Sequence, residues 1–136
     1  MSKIGVVYFS KTGHSTKIAN AVAEAKGLKA VSVTEQAAKD AELIYLVSGI
    51  YAGQCAPELL KFVEALDVTK TKQVALITSC ASMKQGQDAV RKALEEKGIK
   101  VVDEHLVPGG FLVLKMGHPN KADIADAVEF SKRIYD

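Results

Sequence analysis

The sequence has little cysteine and histidine: two Cys and three His among 136 residues. Cys55 and Cys80 stand far apart with no metal-ligand spacing. That excludes a zinc module or a disulfide framework and fits a reduced, cytoplasmic setting. Neither cysteine has an arginine six residues on (those positions are Lys61 and Gly86), so a phosphatase thiol is excluded too. No apolar run approaches the roughly 20 residues that span a bilayer, and Met1-Ser2-Lys3 before a short strand pattern is not a secretory leader. Charge of one sign is nowhere concentrated. Eighteen Lys and Arg against sixteen Asp and Glu leave a net charge of +2. The longest acidic runs are two residues (Glu95-Glu96, Asp103-Glu104), and no basic cluster forms a nucleic-acid arm. Repeats, low-complexity tracts and linkers are also missing, so one domain over residues 1–136 is expected.

What is present is an alternation of strand and helix patterns, five times over. Lys3–Phe9 is an apolar run, as in a central strand covered on both faces. Ile18, Ala19, Val22 and Ala23 then form a helical stripe, closed by Gly27 as a C′ residue. Leu28–Val33 reads as a second strand, with a short helix from Thr34 through Gln36 to Lys39. Glu42–Ser48 is the third strand, and Pro57 opens a helix with Leu59, Leu60, Phe62, Val63 and Leu66 inward. Gln73–Ser79 is the fourth strand. A helix from about Lys84 to Lys97 uses Ala89, Val90, Ala93 and Leu94 and stops at Gly98. Ile99–Val107 is the fifth strand, and Pro108-Gly109-Gly110 turns the chain. Phe111–Met116 reads equally as strand extension or buried helical turn. Asn120 with Asp123 caps a last helix that buries Ile124, Ala127, Val128 and Ile134.

This alternation predicts an α/β fold: a parallel sheet with helices on both faces, ligands being held at the carboxyl ends of the strands. Three loops fall there: Ser10–Ser15, Gly49–Ala56 and Ser79–Met83. The first offers hydroxyls, a glycine and a helix N-terminus, which suits a phosphate. It lacks Gly-x-Gly-x-x-Gly and the Gly-Lys-Ser/Thr ending of a nucleoside-triphosphate loop, so neither a dinucleotide nor ATP is the first expectation. A phosphoacceptor receiver module would need acidic residues after the first strand and an aspartate after the third. Phe9-Ser10 and Ser48-Gly49 occupy those places.

The remaining pattern, Ser10-Lys11-Thr12-Gly13-His14-Ser15, closely resembles the FMN-phosphate loop of flavodoxins, Ser/Thr-x-Thr-Gly-x-Thr. Element order, length and the three-loop layout resemble a short-chain flavodoxin from end to end. The resemblance implies a three-layer fold with a five-stranded parallel sheet of order 2-1-3-4-5. It also implies non-covalent FMN, with the phosphate at Ser10–Ser15 and the ring between Gly49, Ile50, Tyr51, Ala52 and Gly53 and Ser79, Cys80, Ala81 and Ser82. A peptide of the second loop, Ala52-Gly53 first, would reorient toward the flavin N5 on reduction. Tyr51 would stack on the ring; its plain alternative is packing on the next helix. For Gly49 and Gly53 the alternative is a tight turn. His14 reads as a spectator beside the anion, and Lys11 and Lys17 as solvated lysines. His105 has a packing or surface role and His118 sits in a turn. Cys80 reads as a small buried residue, and Cys55 lies near a helix start without a partner.

The function so implied is an electron carrier serving redox partner proteins, with no nucleic-acid partner and a monomeric or weakly dimeric state. Ser48-Gly49-Ile50-Tyr51-Ala52-Gly53 also resembles a loop of protoporphyrinogen-oxidising flavodoxin-like enzymes. That supports an alternative, an FMN-dependent oxidoreductase such as a quinone reductase. A scaffold that has lost its flavin is a further alternative. Family members are usually acidic, whereas this chain has a sequence pI of about 8.5. A less negative flavin potential and different partner electrostatics are therefore expected.

Overall fold

Alternating side chains along the strands enter two separate apolar cores. In this computed structural model, which describes residues 2–10, 13–35, 39, 41–51, 54–79, 87–108 and 120–134, successive residues such as Val6 and Val7, or Leu76 and Ile77, belong to opposite cores. That is the period-2 behaviour of strands covered on both faces. The strands are β1 (Ser2–Tyr8), β2 (Val31–Ser32), β3 (Ala41–Tyr51), β4 (Gln54–Cys55), β5 (Gln73–Ser79) and β6 (Lys100–Val107). The helices are α1 (His14–Ala25), α2 (Pro57–Glu64), α3 (Asp88–Lys97) and α4 (Lys121–Ile134). Five strands form the expected parallel sheet, in the order β2-β1-β3-β5-β6. Val7, Ile44, Leu46, Val74 and Leu76 pack with Leu59, Phe62 and Val63 of α2 and Val90 and Leu94 of α3. On the other face Val6, Tyr45, Val47 and Ile77 pack with Ile18 and Val22 of α1 and Ala127 and Phe130 of α4.

Local signals place most boundaries correctly. Pro57 is the first residue of α2, and Gly98, with φ 88°, closes α3 in the left-handed conformation that favours glycine. Asn120 and Asp123 cap each other. The Asp123 N–H donates to Asn120 Oδ1 at 2.9 Å, and the Asn120 N–H donates to Asp123 Oδ2 at 2.8 Å.

Several expectations need correction. Leu60 is 37% exposed, one position off the inner stripe of α2, and Ala89 of α3 is exposed. β2 has two residues instead of six. The segment expected as a plain loop after the third strand is largely strand. β3 continues through Gly49, Ile50 and Tyr51 and turns back on β4, with Ile50 opposite Cys55 and Tyr51 opposite Gln54. Most of the expected short helix after Thr34, the start of the helix from Lys84, the Pro108-Gly109-Gly110 turn beyond Pro108 and Phe111–Met116 lie outside the described residues.

Periodicity missed one further feature. Val74 of β5 pairs with Val101, but Leu76 pairs with Glu104, so β6 carries one extra residue between them. Such a bulge reverses the facing of everything that follows it. Glu104 turns to the α3 face, and His105 turns to α4. The Glu104 N–H is taken up by Asp103 Oδ1 at 2.8 Å.

His105 stacks on Phe130, with ring centroids 5.2 Å apart. Burial holds its pKa below the ordinary value of 6.5; Asp126 and Asp103 oppose this, and Arg133 adds to it. The folded state therefore favours the neutral ring, and the unfolded chain takes up the proton first as pH falls. The stabilisation is complete above pH 6.5 and is lost as pH drops through and below that value. A His105→Phe variant should show a flatter fall in melting temperature across this window than the parent protein. An unchanged acid slope would rule His105 out as its source.

Candidate functional site

The parallel ladder brings three chain segments together at one edge of the sheet. Tyr8 pairs with Val47, Gly49 with Ser79, and Ser79 with Val107. The carboxyl ends of β1, β3 and β5 therefore lie side by side, the outer two about 10 Å apart at two strand spacings. The Phe9 N–H donates to the Val47 carbonyl at 3.0 Å, which carries the pairing one residue beyond β1. Ser10 begins the loop at that point.

α1 begins without a side-chain cap. Gly13 is the N-cap with φ 87°, where a side chain would be strained, and no side chain caps the helix. Its N–H donates to Ser10 Oγ at 2.8 Å. Ser10 thus shapes the turn by accepting, and its own hydroxyl proton remains for another acceptor. The Gly13 carbonyl takes the Lys17 N–H at 3.2 Å, the first helical bond. The N–H groups of His14, Ser15 and Thr16 have no acceptor inside the helix and mark its positive end. Ser15 lies in this first turn with 1% of its surface exposed, and its Oγ has no hydrogen-bond partner. Burying an unpartnered hydroxyl costs roughly 1–3 kcal/mol. A buried donor without a partner, at the positive end of a helix, has the chemistry to receive an anion.

A family model described as a flavodoxin domain matches residues 5–128. The chain belongs to the flavodoxin family. Solved flavodoxins share its fold at low identity. One from the domain Archaea is 19% identical, with a TM-score of 0.67 and all of each chain covered. Flavodoxin 2 from Bacillus cereus, solved oxidised, is 18% identical with a TM-score of 0.68 and 96% of each chain covered. The two-electron reduced flavodoxin of Megasphaera elsdenii is 22% identical with a TM-score of 0.59, covering 95% of this chain and 98% of that one. No curated protein matches the sequence significantly.

Set in the flavodoxin fold, the expected site residues divide in two. Ser10, Gly13, His14 and Ser15 form the entry to α1. Gly49, Ile50 and Tyr51 form the end of β3, and Ser79 ends β5 with 7% of its surface exposed. Lys11, Thr12, Ala52, Gly53, Cys80, Ala81 and Ser82 lie outside the described residues. Lys17 is exposed, as expected of a solvated lysine.

Sequence reasoning missed a buried polar network just below the second and third loops. Ser48 and Thr78, on neighbouring strands, follow the apolar Leu46 and Leu76 on the α2–α3 face. Glu104 Oε2 accepts from Thr78 Oγ1 at 2.7 Å and from the Gln87 N–H at 2.8 Å, while its Oε1 pairs with Arg91. Gln87, fully buried, donates through Nε2 to Ser48 Oγ at 2.8 Å and to the Gly49 carbonyl at 3.0 Å. The hydroxyls at both strand ends were visible in the sequence. Glu104 was not, because the bulge alone turns it to this face.

Proposed function

We propose that the chain binds FMN non-covalently across these three strand ends and carries electrons between redox partner proteins. The observation that carries this reading is Ser15: a buried, unpartnered hydroxyl in the first turn of an uncapped helix, at the carboxyl end of a central strand. A phosphate monoester supplies the acceptor that this hydroxyl lacks and can also take the Ser10 hydroxyl and the first N–H groups of α1, and its charge suits the helix dipole. The resemblance adds Lys11 and Thr12 to the phosphate side. It adds Gly49–Gly53 and Ser79–Ser82 to the ring side. Relatives of the same fold, solved oxidised in one case and two-electron reduced in another, support a redox role.

FMN when bound supplies the electron chemistry, and the protein supplies binding, orientation and electrostatics. Ser10 orders the loop and offers a hydroxyl proton. Gly13 lets the chain enter α1 without a side chain over the anion. Ser15 and the helix N–H groups desolvate and hold the phosphate. Gly49 and Ser79, neighbours in the ladder, set the separation of the two loops assigned to the ring.

The test is a titration of flavin-free protein with FMN and with riboflavin, which lacks the phosphate, followed by flavin fluorescence quenching. FMN should bind tighter by about a hundred-fold, or roughly 2.7 kcal/mol. Equal affinities, or no quenching by either, would overturn the phosphate assignment. Reduced holoprotein should pass electrons to a protein acceptor such as cytochrome c in the absence of oxygen. Sustained turnover with a small quinone and no protein partner would favour the oxidoreductase alternative.

A further inference from the structure

We propose that Gln87 is a positioning residue for the flavin ring, a clamp that holds the end of β3 and the start of α3 in one arrangement. The proposal rests on the FMN reading above and adds a residue and a role to it. Gln87 immediately precedes α3 and is completely buried. Its carboxamide nitrogen reaches both Ser48 Oγ and the Gly49 carbonyl. A carbonyl can only accept, so the nitrogen must face β3 and the amide oxygen must face away. The Gln87 backbone N–H is held by Glu104, which also takes the Thr78 hydroxyl and pairs with Arg91. One residue thereby joins the ends of β3, β5 and β6 to the first turn of α3.

The remaining atom argues that packing alone does not account for this side chain. Gln87 Oε1 is buried and has no hydrogen-bond partner. An unsatisfied carbonyl of this kind is a standing cost, and a methionine of the same length would fill the space without it. What methionine cannot do is hold the Gly49 carbonyl. Gly49 leads directly into Ile50 and Tyr51, whose backbones pair with Cys55 and Gln54 in the hairpin. Fixing the first carbonyl of this hairpin sets the path of the segment assigned to the ring. With the Gly49 carbonyl held in one setting, the cost of the reorientation expected further along the loop is fixed, and so is the difference in affinity between the two redox states. That difference sets how far the midpoint potential of the bound flavin lies from that of free FMN.

The experiment compares wild type with Gln87→Met through three readouts. These are FMN affinity, the one-electron midpoint potentials of the holoprotein, and amide hydrogen exchange of the flavin-free protein at residues 49–51 and 54–56. Loss of the clamp should speed exchange in the hairpin about tenfold. It should also change the ratio of affinities for reduced and oxidised FMN by about tenfold, or about 59 mV in a one-electron potential. Gln87→Leu likewise offers no donor to the Gly49 carbonyl, so it should fail in the same direction. It carries the comparison if the methionine variant does not fold. Wild-type exchange and potentials in both variants would overturn the clamp. Failure of the wild-type protein to bind FMN would instead overturn the function proposed above, and hairpin exchange would still decide whether Gln87 holds Gly49.

Discussion

Ser15→Ala is expected to weaken FMN binding about thirty-fold, or roughly 2 kcal/mol, while raising the melting temperature of the flavin-free protein. The two effects have opposite signs because the same hydroxyl is a liability without a phosphate and a donor with one. In the flavin-free protein its Oγ is buried without a partner. Alanine removes that penalty and is the better helix former. A gain of about 1 kcal/mol corresponds to roughly 4 °C for a chain of this length. With FMN present, alanine forfeits a hydrogen bond to a charged oxygen. Ser15→Asp should go further and abolish binding, by setting a carboxylate against the phosphate in a buried turn. Calorimetry on the flavin-free proteins and fluorescence titration with FMN test both signs. Destabilisation of the flavin-free protein by alanine would show that Ser15 is held for the fold and not for a ligand.

The largest effect on stability is expected at Phe130. Its side chain is 2% exposed, it stacks on His105, and it packs in the core between the sheet and α1 and α4. Phe130→Ala removes the largest apolar side chain of α4 and leaves a cavity, at a cost of about 3–5 kcal/mol. That should lower the melting temperature by more than about 10 °C. Leucine in its place should recover much of the loss. The docking of α4 is not wholly apolar, since Tyr45 donates from the core to the Ser131 carbonyl at 2.8 Å and Lys26 Nζ reaches the same oxygen at 3.3 Å. That carbonyl lies in the last turn of α4, where a helix leaves its carbonyls to outside donors. The variant should therefore keep its far-ultraviolet spectrum at low temperature and lose cooperativity on heating. A loss under about 1 kcal/mol would mean that the site collapses around the gap.

The order of strands and helices, the two-sided burial of β1, β3 and β5, the glycine and proline boundaries and the Asn120–Asp123 cap were all determined by the sequence itself. Each depends on residues within a turn or two of one another, and short-range periodicity and backbone preference are written locally. The loop at Ser10–Ser15 was legible for the same reason, since a strand, a hydroxyl-rich turn and a helix start are contiguous. Only the tertiary structure decided the rest. The bulge between Val101 and Glu104 exists relative to β5 and has no signal within β6 alone. The run of β3 through Tyr51 depends on β4 folding back to pair with it. The burial of Gln87 depends on Ser48, Gly49 and Glu104 arriving from two other elements, and His105 reaches Phe130 because the bulge turns it to that face. Ser15 belongs to both accounts. Its position was local, but whether its hydroxyl met water, a neighbour or nothing was decided by what the fold packed around it.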